Sequence, residues 1–363
     1  MKENKQNQII FFFPDIGIGG VEKNFFIISN YLTKFFDNLT LITSSKINKK
    51  LNKKIKVDKI NSLWLKFGRR ITFVICSLKL IFKCLKNKNS IIISFQGNFY
   101  ALIISIILRK KILIRSNASP SSWSRNKLRY IIYKYLLSKA DQIIVNSLDF
   151  KKEFKKTFNI SPRVIYNPLK IEKINKFSLK NKIKFYKKNT LNLINVGRLE
   201  DQKNQIEILK ALNCLNKKIL NFRLLIIGNG KKRNYLINYI KSNLMDKYVR
   251  IYSSSNATNF IKAADVFILS SKFEGLPNVL LEAASYNKYI ISSNCKTGPK
   301  EIINSYRYGK LYKQGDVLEL KSILDKLDKN KIIKNKKNYT KNLIKFNYNE
   351  NLKKYYNVIK KLI

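Results

Sequence analysis

A chain of 363 residues is too long for one ordinary domain and comfortable for two of about 150–200 residues. With 45% hydrophobic residues, each half can bury a core of its own. The 73 Lys and Arg against 22 Asp and Glu give a net charge of +51, a balance that suits polyphosphates or an anionic membrane surface. The cations are scattered along the whole chain rather than gathered in one block, so no nucleic-acid partner is expected. Enrichment in Lys, Asn, Ile, Phe and Tyr, with no His, is also what compositional drift in an AT-rich genome produces, and part of the excess charge is put down to that.

The four cysteines, Cys76, Cys84, Cys214 and Cys295, show no C-x-x-C spacing; with no His they exclude the familiar zinc sites and read as buried thiols in a reducing compartment. The apolar run 9–13 is too short for a secretory signal. Run 71–82 is short and carries Lys79, while 91–108 is interrupted by Gln96, Gly97 and Asn98. A cytoplasmic protein without a transmembrane helix is expected, with docking at the inner face of the membrane kept open.

Taken in chain order, buried strands are expected at 9–13, 39–43, 91–94, 112–115 and 142–146. Amphipathic helices are expected at 21–35, 100–108, 127–138 and 148–158. Apolar runs of four to six residues separated by helices describe a parallel sheet covered on both faces, a doubly wound α/β domain over 1–168. Asn167-Pro168 marks a turn, and the Lys- and Asn-rich stretch to 190 reads as a linker. A second series then begins. Its strands are expected at 191–196, 223–227, 249–252, 266–269 and 289–292, and its helices at 205–215, 232–243, 256–263 and 278–286. This makes a second domain over 191–340, with a helical tail at 341–363 that could pack back on the first. Two such domains in tandem put a cleft between the carboxyl ends of two sheets, where open α/β sheets bind ligands.

The strongest local signal is Phe273-Glu274-Gly275-Leu276-Pro277-Asn278-Val279-Leu280-Leu281-Glu282-Ala283. It follows a strand and opens a helix with Pro277 at the first position, so it presents unpaired N–H groups and a positive dipole end to a phosphate. Gly275 permits close backbone approach. Two carboxylates eight positions apart, straddling that turn, suit hydroxyl-rich groups on either side of a diphosphate. Read singly, Glu274 is equally a solvated loop residue and Glu282 a plain helix-surface residue. A second element, Asn195-Val196-Gly197-Arg198-Leu199-Glu200-Asp201-Gln202-Lys203-Asn204, sets a strand end, a Gly turn and two cations five apart. In a chain this rich in lysine, Lys203 alone means nothing.

These strings resemble glycosyltransferase family 4, retaining enzymes of GT-B fold (two Rossmann-like domains facing a central cleft) common in bacterial polysaccharide and lipopolysaccharide synthesis. Glu274 through Glu282 is similar to its E-x7-E signature, and residues 197–204 to its G-R-L-x-x-x-K-N element. The resemblance implies that Glu274 contacts the donor sugar, that Glu282 binds the ribose, and that Arg198 and Lys203 neutralise the diphosphate. Gly197, Gly275, Leu276, Pro277, Asn278 and Val279 would line the donor. Further likenesses are Ile226-Ile227-Gly228-Asn229-Gly230, Ala263-Ala264-Asp265-Val266-Phe267, and Thr297-Gly298-Pro299-Lys300-Glu301-Ile302. Gly17-Ile18-Gly19-Gly20-Val21-Glu22 resembles the G-G-x-E loop, with Gly19 and Gly20 facing the diphosphate. It is neither G-x-G-x-x-G nor a P-loop, so a dinucleotide cofactor is disfavoured.

Many members place a His near the reacting sugar. This chain has none, and Gln96, Asn98, Arg115 and Asn117 are the candidate substitutes in the first domain. No Asp-x-Asp triplet occurs, so no metal or other cofactor is expected, only a nucleotide-diphosphate sugar, with UDP as the favoured nucleotide. The acceptor expected is a saccharide or lipid-linked saccharide. Residues 71–83, with Arg69, Arg70 and Lys79, read either as a helix lying in a membrane interface or as an ordinary core-facing helix. Two rival functions remain: a nucleotide-sugar epimerase of related fold, and a non-enzymatic binder of RNA or acidic glycan.

Overall fold

The computed structural model of the chain describes residues 7–17, 19–47, 51–61, 68–117, 120, 126–170, 183–215, 222–254, 256–334 and 339–363, the side chains of 333 and 334 excepted. Ile18 of the glycine loop and residues 171–182, most of the expected linker, lie outside them. The chain divides into two compact units, Met1–Pro168 with Tyr348–Ile363, and Leu169–Asn347. Residues 341–347 therefore stay with the second unit. Residues 183–190 do so as well: Phe185 is buried there and the Tyr186 hydroxyl donates to the Leu193 carbonyl at 2.9 Å.

The first unit is a seven-stranded parallel sheet. Its strands are β1 Gln8–Phe12, β2 Leu39–Thr43, β3 Ile55–Lys59, β4 Ser90–Ser94, β5 Lys111–Ser116, β6 Gln142–Val145 and β7 Arg163–Val164, in the order β3-β2-β1-β4-β5-β6-β7. Its helices are α1 Gly20–Leu32, α2 Arg69–Lys86, α3 Asn98–Ile107, α4 Lys127–Ser138 and α5 Leu148–Phe158. Side chains alternate across a strand. Ile9, Phe11 and Phe13 accordingly enter one core with Phe25 and Phe95, while Ile10 and Phe12 enter the other with Leu80, Ile112 and Phe150. Strands β3 and β7 were not expected. Ile55–Lys59 is an edge strand with only Ile55 buried, and β7 is two residues long, so neither makes an apolar run.

The second unit is a six-stranded parallel sheet of order β10-β9-β8-β11-β12-β13. Its strands are β8 Leu191–Val196, β9 Phe222–Ile227, β10 Val249–Tyr252, β11 Val266–Leu269, β12 Tyr289–Ser293 and β13 Gly309–Tyr312. Helices α6 Gln205–Asn213, α7 Arg233–Ser242, α8 Thr258–Ala263, α9 Asn278–Ser285, α10 Pro299–Tyr306, α11 Val317–Asp325 and α12 Lys329–Lys334 accompany it. The elements between 293 and 340 escaped the periodicity. Strand β13 is again an edge, and α10 was read only as a motif. Cys214, at the end of α6, is exposed rather than buried, because the helix turns its apolar side to the sheet and its terminus to solvent.

One device recurs in both units. At the base of β6 the Asp141 carboxylate accepts from Ile112 N of β5 at 2.8 Å, and at the base of β11 Asp265 accepts from Asn192 N of β8 at 2.9 Å. The Asp of each Ala-Asp pair thus fastens the amide of the second residue of a neighbouring strand.

After a 3-10 segment at Tyr339–Phe346, helix α13 Tyr348–Lys360 belongs to the first unit, burying Leu352, Tyr355, Val358 and Ile359 in its core. It also reaches Arg115, which is 1% exposed. The guanidinium donates from Nε to the Tyr355 hydroxyl at 2.9 Å, to Asn167 at 2.8 Å and to Asn117, and it lies 5.8 Å from the Phe95 ring centre. Removing one acceptor strands a charged donor. Tyr355→Phe should cost about 1–3 kcal/mol, lowering Tm by about 2–4 °C for each kcal/mol. An unchanged Tm in a thermal melt would show that Tyr355 does not hold the guanidinium.

Candidate functional site

In the second unit the strand order reverses between β8 and β11, and such a switch point opens a crevice at the carboxyl ends of the strands. The opening is visible in the register. Strands β8 and β11 pair only through Leu193–Val266 and Ile194–Phe267. Beyond that the Asn195 side chain donates across the gap to the Ile268 carbonyl at 2.8 Å.

The two predicted elements leave from these strand ends. Lys203 lays its stem over Gly197, with carbons 3.4 Å from where a Cβ would stand, and places Nζ 2.5 Å from Glu274 Oε1. The same carboxylate oxygen accepts from Ser271 at 2.6 Å. Both side chains are largely buried, Glu274 at 8% exposure, so this is a desolvated ion pair rather than a surface one. The alternative of Glu274 as a solvated loop residue is set aside on this geometry.

Arg198 differs. It is more than half exposed and held by Glu200 at 3.1 Å and Gln202 at 3.3 Å. Exposed pairs of this kind are worth about 0–1 kcal/mol, so an incoming diphosphate can take the guanidinium over at little cost. Lys203 and Glu274 neutralise one another in a buried pair, whereas Arg198 is paired only at the surface, where an anion can compete with Glu200 for it.

The loops around the pair are stitched by side chains that the motif reading had not assigned. Gln202 donates to the Phe273 carbonyl at 2.9 Å, Gln205 to the Arg198 carbonyl at 3.0 Å and Ser270 to the Lys203 carbonyl at 2.9 Å, while the Thr297 hydroxyl donates to the Glu274 carbonyl. Nothing local in the sequence marked Gln202 or Gln205. Cys295 lies buried nearby. Burial first, and then the Glu274 carboxylate, push its thiol up to about 12, so it stays neutral.

Two glycine contacts set the backbone of the site. A Cβ on Gly298, whose φ is +88°, would stand 1.8 Å from the Gly275 oxygen. A Cβ on Gly228 would stand 1.9 Å from the Gly197 oxygen. The Gly298 backbone thus packs directly on the Gly275 carbonyl. Pro277 also differs from expectation. It occupies the cap, with extended backbone, and α9 begins at Asn278. Leu276 is buried, Asn278 and Val279 are half-buried in the first turn, and Glu282 follows in the second turn, also half-buried.

In the first unit the order reverses between β1 and β4. Gln96, after β4, accepts from Asp15 N at 2.9 Å and so joins the two strand ends. Asn98 accepts from Ser94 at 2.7 Å and opens α3, and Asn117 donates to the Phe95 carbonyl at 3.0 Å. Arg115 is committed inward, as described above. Gly19 caps α1 and Gly20 begins it, with the Glu22 carboxylate close over Gly17 and Gly19. Among the described residues no group of three or more His, Cys, Asp or Glu is gathered that could hold a metal ion.

Residues 176–346 match the family model described as Glycosyl transferases group 1. An uncharacterized glycosyltransferase of Methanocaldococcus jannaschii is 32% identical over 62% of this chain and 62% of its own. The chain thus aligns with about three fifths of that relative's length. A Campylobacter jejuni alpha-1,4-N-acetyl-D-galactosaminyltransferase, named for a diphospho-undecaprenol-linked saccharide, is 26% identical over 93% of this chain and 91% of its own. Among solved structures, Anabaena HepE in complex with UDP-glucose superposes with a TM-score of 0.78 at 16% identity, covering 98% of this chain and 99% of that one.

Proposed function

We propose that this chain, whose second unit carries a group 1 glycosyl transferase domain and whose two α/β units have the GT-B glycosyltransferase fold, moves a sugar from a nucleoside-diphosphate donor to a saccharide or lipid-linked saccharide acceptor. The observation that carries the reading is the buried Lys203–Glu274 pair at the β8/β11 switch point, beside the start of α9 and the exposed Arg198. The relatives' names favour an acceptor on a lipid diphosphate, and the UDP complexes of HepE favour uridine.

In this reading Arg198 and the first amides of α9 receive the diphosphate. Glu274, fixed by Lys203 and Ser271, faces the positive charge that develops on the sugar ring, and Glu282 accepts from the ribose hydroxyls. The bond from the anomeric carbon to the phosphate oxygen breaks, and the acceptor oxygen attacks from the same face. Its proton passes to the departing phosphate oxygen, so configuration is retained without a metal. Gln96, Asn98 and Asn117 supply neutral polar groups at the carboxyl end of the first sheet, with Arg115 as their buried support.

The test is a thermal-shift panel of UDP, GDP, ADP and CMP at fixed low salt. One diphosphate, expected to be UDP, should stand out, adding about 2.7 kcal/mol at 100-fold its dissociation constant, and Glu282→Ala should abolish the shift. If all four act alike, charge alone binds them and the donor site is rejected.

A further inference from the structure

We propose that helices α2 and α4 of the first unit dock this chain on an anionic lipid surface. Helix α2 buries Phe73, Cys76, Leu80 and Cys84 against the sheet, so the core already takes one face. Along another face Ile71, Val74, Leu78, Phe82 and Leu85 are each 40–65% exposed. At 3.6 residues per turn these five fall within about a quarter of the helix circumference, a continuous outward apolar stripe. Helix α4 repeats the pattern. It buries only Leu136 and Leu137 and exposes Leu128, Ile131, Ile132 and Tyr135, again on one side. Both helices pack on α3 and send their inner residues into the same core, so their outer faces lie on the same side of the sheet. Exposed Ile107, at the end of α3, continues the apolar surface.

The charge around these stripes selects the occupant. Neither helix carries an Asp or Glu, and Arg70, Lys86, Lys127, Arg129 and Lys134 are exposed on them, while exposed Arg69 is met by Asp15 at 3.5 Å. Lys79 and Lys83 are occupied by Asp58, the latter at 3.2 Å. Among the described residues the rim of the strip is predominantly cationic, the carboxylates of Asp15 and Asp58 being paired with Arg69, Lys79 and Lys83, so it would repel a second copy of itself and complements anionic headgroups. Among the described residues no helix is long and apolar enough to cross a membrane, so the helices would lie in the plane of the interface, stripes inward and cations at the headgroups. This inference does not depend on the transferase reading.

The full chain is sedimented with vesicles of phosphatidylcholine alone and of phosphatidylcholine with phosphatidylglycerol. Binding is expected on the anionic vesicles and little on the neutral ones. The pairs Leu78→Ser with Phe82→Ser, and Leu128→Ser with Ile131→Ser, should each weaken it about tenfold or more, with Tm unchanged because the side chains are exposed. Arg70→Glu with Lys127→Glu should weaken binding at low salt and converge on the wild type at high salt. Binding that both serine pairs leave untouched overturns the proposal in favour of diffuse attraction by the +51 charge. Equal binding to both vesicle types, or none, overturns it as well. A lipid-free dimer that either serine pair makes monomeric assigns the face to a second copy instead.

Discussion

Replacing Glu274 with Gln should lower kcat by about 10²–10³, the usual cost of removing one preorganised charge from a transition state. The substitution keeps the shape and an acceptor for Ser271 and Lys203, and it removes only the negative charge. Lys203 is left largely buried beside a neutral amide, so Tm should also fall by a few degrees. Turnover is therefore measured below that transition, with circular dichroism matching the wild type. A kcat within about tenfold of the wild type would remove Glu274 from the reaction and, with it, the central residue of the proposed site. An epimerase would be recognised in the same assay by conversion of the nucleotide sugar without an acceptor.

Gly298→Ala should be the most damaging small substitution in the second unit. The new Cβ would stand 1.8 Å from the Gly275 oxygen and 2.8 Å from its carbonyl carbon, and backbone atoms cannot rotate aside as a side chain can. Strain at a φ of +88° adds to this, and together they should cost about 3 kcal/mol or more. Gly315 is the internal control, since its φ is +85° and nothing lies within 4 Å of where a Cβ would stand. Gly315→Ala should then lose only the conformational part, about 1–2 kcal/mol, and keep the nucleotide-induced shift that Gly298→Ala loses. Equal losses in both would mean that packing of the Thr297–Pro299 loop on the Gly275 turn does not hold the donor site.

The sequence by itself determined the buried strands of both sheets, because a strand covered on two faces must be apolar throughout and so announces itself. It equally marked Arg198, Lys203, Glu274 and Glu282 by their spacing from strand ends. Edge strands β3, β7 and β13 were not legible, β3 and β13 having one buried residue each and β7 only two residues, although the edge strand β10 was expected at its observed place. Only the tertiary structure decided which marked residues meet. Lys203 and Glu274 are 71 positions apart and touch because β8 and β11 are sheet neighbours, and Ser271 joins them from the same strand end. It also reversed the apparent setting of Arg115, which sequence placed at an open strand end and which the fold turns inward to a tyrosine 240 positions away. The outward stripes of α2 and α4 belong to the same class of fact. Periodicity shows that a helix has an apolar face, but which face the core has already used depends on where the sheet lies.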